Sequence, residues 1–234
     1  YFRREFRLKS QPVRRATAYM AGLGLYRLFV NGREVAADEV LKPVPSDYRK
    51  TIYYNAYDVT SLLDTLTAVG VVVGNGRYFP MRQNKAYKTP VFGLPKCRLN
   101  IWVEYADGSM QKLVTDEQWK VTADGPVRAN NEYDGEEYDA RIPEGYLTPE
   151  KLSTPELNNE FAGKIFPTAG AEVYIRRDLA LSPVRAYVWK DIEGKSEDCH
   201  GKVLIEREYA PGEEMSILPG EQLVVAFGQH CAGI

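Results

Sequence analysis

Leu99, Ile101, Val103 and Tyr105 alternate with Arg98, Asn100, Trp102 and Glu104, and this period of two constrains the fold more than any other feature of the chain. Successive strand side chains point to opposite faces, so the segment buries one row and exposes the other. Asp107-Gly108 turns the chain and Leu113-Val114 returns it, which predicts an antiparallel meander. Phe2, Phe6 and Leu8 recur at even positions as a half-buried strand, and Leu23 to Val30 reads as another. It ends at Asn31-Gly32, residues that tolerate positive φ and so predict a tight hairpin into Arg33-Glu34-Val35. Ala68 to Val73 is apolar without alternation, which predicts a central strand covered on both faces. No segment up to Arg141 sustains a helical period. One helical turn is expected over Asp58 to Leu63, capped by Asp58 or Thr60. The fold class that follows is all-β, an antiparallel β-sandwich.

The 234 residues suffice for one large or two small domains. The formal net charge of -2 argues against a nucleic-acid partner, which needs clustered Lys and Arg. No apolar run approaches the roughly 20 residues that span a bilayer. The chain starts at Tyr1 inside a strand-like pattern, which predicts a piece of something longer. Cys97, Cys199 and Cys231 are odd in number and widely spaced, a poor basis for a disulfide framework or a zinc site. His200 and His230 each adjoin a cysteine, but neighbours on a strand face opposite ways and do not converge on one ion.

A first domain is expected over residues 1–142. A linker with short helices or turns should follow over 143–171, because Thr148-Pro149-Glu150 and Thr154-Pro155-Glu156 each set a cap residue before proline and an acid. Strands resume at Val173-Tyr174-Ile175, Val184 to Trp189, Val203 to Tyr209 and Glu221 to Phe227, the beginning of a second β domain over 172–234.

The chemistry concentrates in Asn131 to Arg141, where acids and tyrosines surround Gly135. If extended, it sets Tyr133, Gly135, Glu137 and Asp139 on one face and Asp134, Glu136, Tyr138 and Ala140 on the other. Each face then mixes carboxylate with phenol, which suits a polar, sugar-sized contact surface. The plainer reading is solvated turn acids with Arg141 closing a local ion pair. The chain's 16 tyrosines serve either end, since a flat ring with a hydroxyl at its edge packs on sheets and on the CH faces of sugars.

This stretch resembles the Tyr-Asp-Gly-Glu-x-Tyr-Asp-Ala-Arg signature of the N-terminal β-sandwich module of bacterial α-L-rhamnosidases. Tyr1 to Phe6, Gly22 to Tyr26, Asn31-Gly32, Asp47-Tyr48-Arg49-Lys50, Tyr57 to Thr60, Gly74-Asn75-Gly76 and Thr115 to Lys120 resemble further motifs of that family, in the same order. Pro183-Val184-Arg185 and Phe227-Gly228-Gln229 resemble the next β domain of these enzymes. The resemblance implies a jelly-roll or galactose-binding-like sandwich. It also implies a parent glycoside hydrolase that removes terminal α-L-rhamnosyl groups with inversion, using carboxylates on a later (α/α)6 barrel. The compartment stays open, a secreted or periplasmic bacterial location being the leaning.

Inversion requires an acid and a base roughly 6.5–9.5 Å apart; Asp134 and Glu136 could in principle serve as such a pair, but nothing in the sequence points to a deep, dry pocket around them. No catalytic residue is expected in this chain, which would support the missing barrel. The expected sugar contacts are Asp47 and Tyr48 of one loop, Asn75, Arg77 and Tyr78 of a second, and Tyr133 with Glu136 of a third. No cofactor is required. In some modules of the family such loops hold rhamnose through calcium, and the oxygens of Asp47 and Asn75 suit that hard cation. The chain departs from the family at Val44-Pro45-Ser46 and at Arg77, where tryptophan is common, at Ala226, where aspartate is usual, and at His230, where asparagine is usual. The competing expectation is a structural scaffold or protein-interaction module without sugar affinity.

Overall fold

The alternating segments form strands, and the rows they bury face one another. The computed structural model describes residues 1–80, 91–131, 135–142, 152–157, 161, 163–193, 202–210 and 212–229. Two compact units result, Tyr1–Ile175 and Arg176–Ile234. The first contains β1 (Phe2–Arg7), β2 (Val13–Leu23), β3 (Tyr26–Val30), β4 (Arg33–Glu34), β5 (Glu39–Val40), β6 (Thr51–Asp58), β7 (Leu66–Val73), β8 (Lys96–Tyr105), β9 (Met110–Val114), β10 (Lys120–Val121), β11 (Val127–Asn131), β12 (Gly135–Tyr138), β13 (Lys164–Pro167) and β14 (Val173–Tyr174). The second contains β15 (Arg185–Glu193), β16 (Lys202–Tyr209) and β17 (Gln222–Ala226).

Two five-stranded sheets dominate the first unit, in the orders β10-β1-β7-β3-β4 and β13-β6-β2-β8-β9. Leu28, Val30, Val69 and Val71 of one meet Ala18, Met20, Leu99, Ile101 and Val103 of the other in a single core. Each such side chain removed from water contributes about 1.5–3 kcal/mol for the larger aliphatics, so the shared core welds the sheets into a sandwich. Trp119 closes one end, with Phe6 edge-on at 6.0 Å and its indole N–H donating to the Val114 carbonyl at 2.9 Å.

The Asn31-Gly32 hairpin forms as expected, both residues having positive φ, 49° and 76°. The turn after Asp58 is a 3₁₀ turn over Thr60–Leu62 without a side-chain cap of its own. Asp58 instead accepts the Thr60 N–H at 2.9 Å. β7 is the central strand of its sheet. Thr67, Val69 and Val71 are buried, whereas Ala68, Gly70 and Val72 on the opposite face are half-buried.

The boundary between units falls later than the sequence pattern suggests. β13, inside the stretch expected to be a linker, pairs in parallel with β6 from Lys164↔Thr51 to Pro167↔Tyr54. β14 pairs with β5. Backbone pairing of these short strands across a long separation ties the chain to the first sandwich as far as Ile175. Thr154 to Glu156 form no helix, and residues 148–150 lie outside the described residues. In the second unit β15 is flanked by β16 and β17, both antiparallel, with Val188 fully buried. Among the described residues no helix is long and apolar enough to cross a membrane.

Candidate functional site

Three loops of the first unit are joined through specific contacts between their residues. After β7 the chain bends at Gly74-Asn75-Gly76. The Gly74 N–H donates to the Leu25 carbonyl at 2.7 Å, and a Cβ at Gly74 would lie 1.9 Å from the Asn130 side-chain oxygen. Only glycine permits that approach. Asn75 then clasps β11. Its N–H donates to Asn130 Oδ1 at 2.9 Å, the Asn130 N–H donates to Asn75 Oδ1 at 3.1 Å, and Asn75 Nδ2 donates to the Phe79 carbonyl at 3.3 Å.

Asn130 lies opposite Glu136 in the β11–β12 ladder, which brings the third loop alongside the bend. Glu136 is exposed, like the rest of β12. From the other side, Tyr48 stands edge-on to Tyr78, ring centroids 5.2 Å apart, and to Phe92 at 5.3 Å. Tyr78 and Phe92 stack at 5.8 Å, and the Lys96 ammonium lies 5.6 Å from the Tyr78 ring centre. Tyr78 is 7% exposed and forms the floor of this cluster. Tyr48 and Phe92 are half-buried, and Arg77 is exposed beside them.

The structure thus joins Tyr48 to Tyr78 and Asn75 to Asn130, with Glu136 opposite Asn130 and its charge acting on Tyr1 and Arg27. Asp47 enters through its neighbour in sequence, and Tyr133 lies outside the described residues. Sequence reasoning missed Phe92, Lys96 and Asn130. Phe92, between Val91 and Gly93, carries an aromatic signal in a loop; Asn130 carries none beyond being an amide.

Asp47 is held by Arg49, whose Nε donates to Oδ1 at 2.9 Å and whose backbone N–H donates at 3.2 Å. Lys50 Nζ lies 3.7 Å from the other carboxylate oxygen. These donors and charges, Arg49 first, keep its carboxyl below the ordinary aspartate range. Calcium takes six to eight oxygens. Here the Asp47 carboxylate meets Arg49 and Lys50, and the Asn75 side-chain oxygen accepts the Asn130 N–H. Among the described residues no group of three or more His, Cys, Asp or Glu gathers that could hold a metal. Farther along, Arg141 grips Asp139 through two bonds of 2.8 Å. Its guanidinium lowers that carboxyl to about 2 and makes the local ion pair expected of a turn.

Two facing sheets with a ring-lined, amide-clasped loop end define the chain's first unit as a β-sandwich domain with a polar rim. The sequence matches the α-L-rhamnosidase N-terminal domain over residues 11–160, and the chain belongs to that family. An α-L-rhamnosidase of Formosa agariphila is 36% identical over 183 residues, covering 70% of this chain and 19% of that protein. One from Streptomyces avermitilis is 37% identical over 147 residues, covering 59% and 13%. Among solved structures, Streptomyces avermitilis α-L-rhamnosidase complexed with L-rhamnose matches with a TM-score of 0.66 at 26% identity, covering 83% of this chain and 21% of that one. The α-L-rhamnosidase from Dictyoglumus thermophilum matches with a TM-score of 0.68 at 26% identity, covering 97% and 32%. The chain spans no more than about a fifth of the length of the curated relatives it matches.

Proposed function

We propose that this chain is a non-catalytic part of an α-L-rhamnosidase-type glycoside hydrolase, supporting the catalytic domain and contacting rhamnose-containing glycan weakly through the loop end of its first sandwich. The observation that carries this reading is the cluster of Tyr48, Tyr78 and Phe92 flanked by exposed Arg77 and by Asp47. Half-buried rings offer a sugar an apolar CH contact, and neighbouring donors and acceptors orient its hydroxyls. Family membership makes rhamnose the sugar to try first.

A second reading is supported by the same geometry. Asn75 spends its amide on Asn130 and Phe79, and Asp47 spends its carboxylate on Arg49. Those residues then serve to fix the loops, and the sandwich is a scaffold. Titration calorimetry of the 234-residue chain with methyl α-L-rhamnopyranoside, with and without a calcium chelator, separates the two. Millimolar binding weakened by Tyr48→Ala supports glycan contact. Absence of heat with rhamnoside, galacturonate and oligosaccharide leaves the scaffold, and binding abolished by chelator supports calcium at Asp47 and Asn75.

A further inference from the structure

Gly70 occupies the middle of the central strand β7, opposite Arg3 of β1 and Phe29 of β3. Glycine weakens a strand interior, because it adds chain entropy and packs nothing. The fold does not demand it here. A Cβ at this position would meet only Phe29 Cβ at 3.8 Å and the Phe2 carbonyl at 3.9 Å, both ordinary contacts. At Gly74, by contrast, the space is taken. What the missing side chain leaves at position 70 is open room on the outer face of the sheet.

That room belongs to a depression of about 290 Å³ whose lining includes Ala68, Gly70, Val72, Phe29, Tyr1 and Arg3. Ala68, Gly70 and Val72 make the floor, Phe29 stands on one side, and Tyr1 and Arg3 stand on the other. Charges of both signs lie beside it, among them Lys120 opposite Arg3 and Glu136, whose carboxylate acts on Arg27 and Tyr1. Arg3 bonds Glu5, and Arg27 forms a two-point pair with Glu34, its Nε 2.9 Å from Oε1, while lying 5.2 Å from the Phe29 ring centre. The cleft therefore combines a small apolar floor, an aromatic wall and a rim in which Arg3, Arg27 and Lys120 are balanced by Glu5, Glu34 and Glu136. Its volume lies at the low end for small-molecule sites, roughly 300 Å³, which suits one sugar ring.

We infer that this outer face is a second glycan-contact site, separate from the loop end, which takes a single uncharged pyranose. The sugar's CH face lies over Val72 and Gly70 against Phe29. Its hydroxyls meet Arg3 of the lining and, at the edge of the cleft, the Arg27–Glu34 pair. The inference rests on the reading of the chain as a glycan-contacting domain; of the loop-end residues Glu136 reaches this face through its charge on Arg27 and Tyr1, and Tyr48, Tyr78 and Phe92 take no part.

The test is a proton–nitrogen NMR titration of the 234-residue chain with methyl α-L-rhamnopyranoside, with sodium galacturonate as the charged control. Amide shifts are expected at Ala68, Gly70 and Val72. They should weaken at least tenfold in Gly70→Val, which fills the floor, and less in Gly70→Ala, while Tyr48→Ala leaves them unchanged. Both glycine variants should melt no lower than the parent, which separates lost binding from lost folding. Shifts confined to Tyr48 and Tyr78 would overturn this site and leave the loop-end reading intact. Shifts nowhere would overturn both, and undiminished binding by Gly70→Val, or equal binding of galacturonate, would overturn the neutral cleft.

Discussion

Asn75 and Asn130 each offer a side-chain oxygen to the other's backbone N–H, at 3.1 and 2.9 Å. This reciprocal clasp fastens the bend after β7 to β11, and through the ladder to Glu136. The loop end is thus organised around two amides rather than around its acids.

Removing one amide leaves a partly buried N–H without its acceptor, which costs about 1–3 kcal/mol. Asn130→Ala should lower the urea midpoint accordingly with an unchanged slope, and Asn75→Ala should do the same. Because both bonds depend on one geometry, the double variant should lose less than the sum of the two. Additive losses would mean that the bonds act independently.

Lys42 and Glu39 are buried side by side, their charged atoms 3.7 Å apart. Lys42 Nζ also donates to the Ala36 carbonyl at 2.9 Å and the Val35 carbonyl at 3.2 Å, and Asn55 donates to Glu39 at 3.3 Å. Burial, outweighing the attraction of Glu39, lowers the Lys42 ammonium from its ordinary range. Lys42→Met should cost about 3 kcal/mol, since it strands the carboxylate, whereas adding Glu39→Gln should recover much of that. Denaturant unfolding of the single and the double variant checks this, and Lys42→Met as stable as the parent refutes it.

Alkaline pH should act through Tyr26 and Tyr57, whose hydroxyls are 2.9 Å apart. Burial pushes both phenols above the usual tyrosine range. Such groups contribute stability that is complete below the unfolded-state value near 10 and is lost as pH climbs from there toward the folded-state value. In a spectrophotometric titration these two should stay protonated until the chain unfolds. Reversible ionisation of all 16 tyrosines in the folded chain would contradict this.

The Asp139 carboxyl, lowered to about 2 by Arg141, has the opposite sign. Its contribution is present above the ordinary aspartate value and lost as pH falls through about 2. Exposure to solvent keeps the effect on stability small. Arg141→Gln should return the midpoint seen by carbon NMR toward roughly 3.9; an unmoved midpoint would assign the shift elsewhere.

The 234-residue chain should leave an aryl α-L-rhamnoside uncleaved. Turnover by pure protein that disappears in Asp134→Asn would instead make it an enzyme in its own right.

The sandwich was legible wherever alternation involved large side chains, as in Leu99 to Tyr105 and the Asn31-Gly32 hairpin. It was not legible in β2, although β2 is held between β6 and β8. That strand turns Ala16, Ala18 and Met20 to the core, with Val13 partly buried against it; alanines carry little hydrophobic signal, and Arg14-Arg15 interrupts the pattern. At the loop end, local composition marked Asn75, Tyr48 and Tyr78 but not their uses. Tyr78 reads as an exposed aromatic after a bend, and tertiary packing under Tyr48 and Phe92 buries it. Asn75 reads as a free amide, and its partner lies 55 residues on.

The return of the chain as β13 has a practical consequence for anyone shortening this protein. A version ending near Arg141, where the composition invites a cut, would strip the outermost strand from Thr51–Tyr54 and leave bare peptide groups along a tyrosine-rich border. Unpaired borders of that kind recruit other chains, so such a fragment should precipitate or oligomerise where the version reaching Ile175 stays dispersed.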